Sequence, residues 1–256
     1  MPEEFSLALT EVAVAVERAG LPPNWRPFEI PSVGFTVDEH VKAHTDAWDA
    51  LCRRGLARGD KLDLDVEDTL RTWTQPDVLI NVRAAELVDQ RHVYYRAASA
   101  KGLGVFSEHN ADGGILFTQV RAERLVDMVV GALPHYNPVP LRELVTVSGT
   151  PTPERDLSDE SLISARRPRN TVSDKEAIAR FAAWPLHRHG SVELSVKQGL
   201  GTLHHVGSVQ FLDTDGGRFL TFTDNLPGGE TRYRFVPSDG SHLRRWLHDS
   251  IADDRR

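Results

Sequence analysis

QGLGTLHHVGSVQFLDTDGGRFL, residues 198–220, decides how this chain is read, because KGLGVFSEHNADGGILF, residues 101–117, carries the same order of GLG followed by DGG. A Gly-x-Gly can cradle a phosphate or shape a turn. The dinucleotide fingerprint needs a third glycine and a helix behind it, since the pyrophosphate rests on the helix N-terminus. Ser107 and His204 stand in that third place, strand-like residues follow, and neither stretch has the Lys and Ser/Thr of a phosphate loop. Both are therefore read as turns, with Asp112–Gly113 and Asp215–Gly216 expected to supply positive φ at hairpin tips.

Working outward, the first stretch sits among four segments of strand character, about Val78–Arg83, His92–Ala98, Leu103–Ser107 and Ile115–Val120. A helix follows over about Ala122–Leu133, with Leu125, Met128, Val129 and Leu133 on one face. The second stretch sits among strands at about Ser191–Lys197, Leu203–Leu212, Arg218–Thr223 and Thr231–Val236, followed by a helix over about Ser238–Ile251. LRTWTQP (Leu70–Pro76) answers RFAAWP (Arg180–Pro185), and RLVDMVVGAL answers HLRRWLHDSI. One repeated motif is weak, but four features in one order point to a duplicated unit. Each half alone would leave an unpaired sheet edge and a small core. Joined edge to edge, the halves give one α+β domain with pseudo-two-fold symmetry, a central antiparallel sheet and flanking helical bundles. The expected division is a first half over 1–147, a connecting segment over 148–172 and a second half over 173–256.

Before the first set of strands, Ser6–Leu9 reads as a short strand and Thr10–Arg18 as a helix capped by Thr10 and ended by Gly20. Trp25–Ile30 reads as extended. Thr36–Glu39 forms a capping box, and the helix behind it places Val41, His44, Trp48, Leu51 and Cys52 inward before Gly55. Another helix spans about Asp65–Trp73 and closes at Pro76. Ser148–Ser173 is rich in Pro, Ser, Arg and acids and reads as a connector with a short helix at Ser158–Ala165. A second capping box, Ser173–Glu176, opens a helix to Trp184.

With 256 residues, 40% hydrophobic and 26% charged, the composition is that of a soluble globular chain, and a net charge of −7 argues against a broad nucleic-acid footprint. The one basic run, Ala165–Asn170, is short and reads as a solvated linker. A single cysteine, Cys52, precludes an internal disulfide, suits a reducing cytosol, and is expected to be buried and inert. The N-terminal apolar run is interrupted by Glu11 and Glu17 and reads neither as a signal peptide nor as a membrane span. The expected location is the cytoplasm, without membrane insertion.

Sites of chemistry are weak. His40 and His44 lie one helical turn apart, the spacing of two zinc ligands, but Val41 follows where a zincin would place its general base. His44 also falls on the apolar stripe, where a hydrogen-bonded buried histidine is commoner. His187/His189 and His204/His205 read as surface or partner-facing polar groups. Asp213, Asp215 and Asp224 lack the remaining ligands of a calcium loop and read as a solvated hairpin. No G-x-S-x-G elbow is present. The expectation is no catalytic residue, no metal and no cofactor. The alternative is a metal- or small-molecule-dependent enzyme that uses the histidine-rich positions.

Residues spread over nearly the whole chain carry a resemblance. PFEIP (Pro27–Pro31), the helix end AWDALCRRGL (Ala47–Leu56), TWTQPDVLINVR (Thr72–Arg83), VQFLDTDGGRFLTF (Val209–Phe222) and RYRFVPSDGSHLRRWL (Arg232–Leu247) resemble, in this order, segments of the EspG proteins. These are the secretion-associated chaperones of actinobacterial type VII (ESX) systems. The loop between the second and third strands, within His92–Ser107, is short against the best-known members. The resemblance implies a pseudo-two-fold fold without enzymatic activity or cofactor. It also implies binding to the helical tip of PPE proteins in PE–PPE heterodimers, which keeps them soluble and assigns them to their secretion system. An exposed apolar helix tip is an aggregation hazard that a sheet face with a charged rim can cover. The expected contact residues are Leu200, Leu203, His205, Val209, Phe211, Phe219 and Trp246. A weak homodimer is left open.

Overall fold

Strand β4 (Val78–Glu86) runs antiparallel beside β9 (Leu186–Lys197), and this ladder makes one sheet of two halves. It extends from Val78 opposite Val196 to Glu86 opposite Arg188, with Val82 opposite Val192 at its middle. Alternate residues of both strands, Ile80, Val82, Val192 and Leu194, are fully buried on one face. The register is thereby held, because a slip of one residue would turn this set toward water. The computed structural model describes residues 4–32, 36–139, 141–148, 176, 181, 183–199, 201–225 and 230–254.

From this seam the strands fan out in matching order. On one side lie β5 (Arg91–Ala100), β6 (Leu103–His109), β7 (Ile115–Arg121) and β1 (Glu4–Leu7). On the other lie β10 (Leu203–Thr214), β11 (Gly217–Asn225), β12 (Thr231–Pro237) and β8 (Leu144–Ser148). The result is a ten-stranded sheet in which neighbouring strands are antiparallel. Each half is a four-strand meander whose outer edge is closed by a strand from earlier in the sequence. The expected pseudo-two-fold sheet is therefore present.

The motifs that suggested the duplication nevertheless occupy non-equivalent turns. GLG makes the β5–β6 turn in the first half but the β9–β10 turn in the second, one hairpin earlier. DGG is displaced in the same way, from the β6–β7 turn to the β10–β11 turn. The β5–β6 turn is as short as expected, two residues with φ of 51° at Lys101 and 86° at Gly102, the sense that matches strand twist. At the β10–β11 turn the positive φ belongs to Gly217 rather than Gly216. Gly216 is needed for space, since a Cβ there would lie 2.1 Å from the Trp184 ring.

The helices α1 (Leu9–Arg18), α2 (Val37–Arg53) and α3 (Leu64–Thr74) cover the outer part of one sheet face. Their core joins Val12, Val16, Trp48, Leu51 and Leu70 to Trp73, Phe117 and Phe5. Helix α1 starts one residue before the expected cap, and the Glu11 carboxylate accepts from the Ala8 N–H at 2.9 Å. The expected capping box of α2 forms, with Glu39 N–H donating to Thr36 Oγ1 at 3.2 Å and Thr36 N–H to Glu39 Oε2 at 3.1 Å. Its inward face is shorter than the periodicity suggested: Ala47, Trp48 and Leu51 are buried, whereas Val41 is 58% exposed. The first two turns project beyond the core. Cys52 packs only partly buried against it. Trp25–Ile30 forms no strand, and a two-stranded ribbon, β2 (Ala57–Arg58) with β3 (Lys61–Leu62), follows α2.

The other face is covered by α4 (Leu125–Ala132), entered through a single 3₁₀ turn, and α5 (Ser241–Asp254). Each follows the last meander strand of its half. They meet over the seam, where Arg244 Nε donates to Asp127 Oδ1 at 3.0 Å. Leu125, Val129, Leu243 and Leu247 bury Val82, Val192, Val209 and Phe211 beneath them. The helices expected at Ser158–Ala165 and along most of Ser173–Trp184 lie outside the described residues. Among the described residues no helix is long and apolar enough to cross a membrane.

Candidate partner-binding surface

Between the helical lobe of the first half and the outer strands of the second, the sheet face turned away from α4 and α5 carries polar side chains. Alternation dictates which ones: with Val82, Val192, Leu194 and Val209 under the helices, Arg83, Ser191, Glu193, Ser208 and Gln210 point the other way. Arg83 and Glu193 bridge the seam at 3.1 Å. A groove of about 410 Å³ crosses β5, β4, β9 and β10 and is lined in part by Arg83, His92, Tyr94, His189, Ser191 and Gln210. Beneath it Gly190 leaves no room for a side chain on the helix-covered face, since a Cβ there would lie 2.3 Å from the Arg83 carbonyl and 2.5 Å from the Phe211 ring.

The end of β4 carries buried charge. Glu86 is buried between Arg91 and Arg188 and bonds to both. Burial pulls Arg188 below the usual arginine range, partly offset by the Asp213 charge. Further out, Asp213 and Arg218 form a buried two-point pair, Nε to Oδ1 at 2.6 Å and Nη2 to Oδ2 at 2.9 Å. The same Nη2 donates to the Pro134 carbonyl at 2.9 Å. Asp213 is therefore no solvated hairpin residue, as its sequence pattern suggested, while Asp215 bonds His187. The Tyr136 hydroxyl is raised by burial first and by the Asp213 carboxylate second.

The expected contact residues divide. Val209, Phe211 and Phe219 have 0%, 1% and 1% of their surface exposed and are core side chains. Val209 and Phe211 lie under α4 and α5, and Phe219 packs edge-on against Phe181 with ring centroids 4.4 Å apart. They are withdrawn from the surface, because an aliphatic–aromatic alternation marks a buried face without saying that it is free. Leu200 lies outside the described residues. His204 Nε2 reaches Asp254 Oδ1 of α5 at 2.9 Å, so alternation sends Leu203 and His205 to the opposite face, where His205 is exposed. A bulge between His205 and Gly207 then re-aims the strand. Trp246 sits half-buried against Phe222 on the α5 side. The groove residues Arg83, His92, Tyr94 and Gln210 escaped the sequence reading, since they lie on four strands and share no motif.

The histidines do not converge into one pocket. His187 pairs with Asp215, His204 with Asp254, and His40 and His44 stand on α2 beside Glu17 of α1. The last three are, among the described residues, the group whose donor atoms approach closely enough for a metal.

The sequence model of the EspG family matches residues 8–249. No curated protein matches the sequence. Among solved structures, the chain is similar to the Mycobacterium tuberculosis type VII secretion system chaperone EspG5 in complex with the PE25–PPE41 dimer. That likeness has a TM-score of 0.60 at 10% identity and covers 99% of this chain and 97% of the other. At such identity the likeness concerns the fold.

Proposed function

The chain belongs to the EspG family, and on that footing we propose that it is a cytosolic, non-catalytic chaperone of a type VII (ESX) secretion system. It binds the helical tip of a PPE-type protein within a PE–PPE heterodimer, keeps the pair soluble and directs it to its secretion system. What carries this reading is the family match over residues 8–249, joined to a fold in common with a chaperone solved with a PE–PPE dimer. We also propose the division of one domain into units 1–147 and 173–256 with a connecting segment over 148–172. Strand β8 is then the piece of the first unit that crosses to the far edge of the second.

The groove face suits such a partner. Arg83 and Glu193 offer rim charges, and Tyr94, Leu203 and His205 offer amphipathic area. Trp246, packed against Phe222 on the opposite face, lies outside this groove. Co-expression with a PE–PPE pair from the same genome should give a three-protein complex that elutes together. Arg83→Glu with Gln210→Arg should abolish co-elution, and Leu203→Asp with His205→Asp should weaken it. Undiminished binding by both double variants rejects this surface, and a wild-type protein that never co-elutes with a PE–PPE pair rejects the chaperone reading itself.

A further inference from the structure

We propose that Glu17, His40 and His44 form a binding site for a divalent transition metal of the zinc class, clamping the projecting start of α2 to the end of α1. The three side chains come from two helices that already pack together through Val12, Val16, Trp48 and Leu51. Their nearest donor atoms all lie within 4.8 Å of one another. His40 and His44 are one turn apart with ring centroids separated by 4.2 Å. The His44 side chain is 15% exposed and that of Glu17 63%, so the site is walled by protein on one side and open to solvent on the other.

The His44 nitrogen carries the strongest argument. Its Nε2 is buried and lies 3.2 Å from a Glu17 carboxylate oxygen, yet the two do not meet in hydrogen-bonding geometry. A buried ring nitrogen without a hydrogen bond is costly. The spacing is instead that of two ligands sharing one ion: zinc bonds of about 2.0–2.2 Å in a tetrahedron place ligand atoms about 3.3–3.5 Å apart. Two imidazoles with one carboxylate select zinc, cobalt or nickel over calcium or magnesium, which prefer all-oxygen sites. Three ligands leave a fourth position for water.

The site would also supply what packing does not. Val37 and Val41 on the first two turns of α2 are exposed, so apolar burial does little to hold this stretch. The capping box fixes its first residue, and the metal would fix the next two turns. His40→Ala and Glu17→Gln lie on exposed positions and leave the core untouched.

The test is calorimetric titration of the full chain with Zn²⁺, paralleled by Co²⁺ absorption spectroscopy. The wild type should bind one equivalent and give the visible d–d bands of tetrahedral cobalt. His40→Ala, Glu17→Gln and His44→Ala should each weaken Zn²⁺ binding by more than about tenfold, since even outer-shell changes cost 10–100-fold. Amide exchange over 37–45 should slow on adding Zn²⁺ to the wild type and not to His40→Ala. The proposal is overturned by a wild type with no saturable uptake, or by uptake that survives in the folded His40→Ala and Glu17→Gln variants, which would place the metal on other histidines.

Discussion

The two halves of the sheet follow one path but neutralise their buried charges differently. In the first half, Arg96 lies under the helical lobe and points its guanidinium at main-chain carbonyls: Nε and Nη2 donate to Trp73 at 3.1 and 2.7 Å, and Nη1 to Arg26. Burial pulls Arg96 down to about 9, still charged at neutral pH. In the second half, Arg218 meets the Asp213 carboxylate face on. The buried acids do not follow this division: Glu86 of the first half lies between Arg91 and Arg188, much as Asp213 meets Arg218 in the second. The half-buried Glu108 on β6 is raised by burial and, second, by the charge of Glu4. Strand pairing thus determines the common path, and each half is then held by whatever polar chemistry its own cover supplies.

The largest test removes one charge of the second half. Asp213→Ala leaves Arg218 buried without its carboxylate and should lower stability by about 3–5 kcal/mol in urea unfolding. Arg96→Met strips donors from two carbonyls and should cost less, about 1–3 kcal/mol. The reverse order would break the comparison. Between the halves, Gly190→Ala should cost about 1–3 kcal/mol, because the added methyl must displace the Phe211 ring or part the seam from Arg83. An unchanged urea midpoint would mean that the seam is looser than its registry implies.

The smallest test concerns Glu108. Its folded pKa is raised above the usual 4.5, so the proton it keeps favours the fold below 4.5, and that contribution is lost as pH rises through the folded value. Glu108→Gln, which never ionises, should unfold at a slightly higher temperature than wild type at pH 7. The difference should close as the pH falls below 4.5. A gain that persists at low pH would assign the effect to packing instead of charge.

Much of the fold was legible in short patterns. Thr36–Glu39 announced α2 because a capping box is satisfied within one turn. Strands such as β9 and β10 were legible because alternate residues are buried along part of their length, which imposes alternation. Strand β8 was missed: its Val-Thr-Val favours a strand, but five residues beside a Pro- and Ser-rich stretch are too few to stand out without the pairing with β12. The GLG and DGG motifs led to a correct duplication by an incorrect alignment, since tight turns between antiparallel strands favour the same residues wherever they occur.

The candidate sites were far less legible. Phe211 and Phe219 looked like contact residues from their alternation, but the covers that bury them, α4 with α5 and the Phe181 region, come from distant parts of the chain. His40 and His44 lacked a third ligand in sequence, and Glu17 reaches them from another helix. Local hydrogen bonding and the period of apolar residues determined the elements, their order and their duplication, because those forces act between neighbours in the chain. Only the tertiary structure decided that β4 meets β9, which sheet face stays open and which side chains converge, because these depend on the register between segments that the sequence holds about a hundred residues apart.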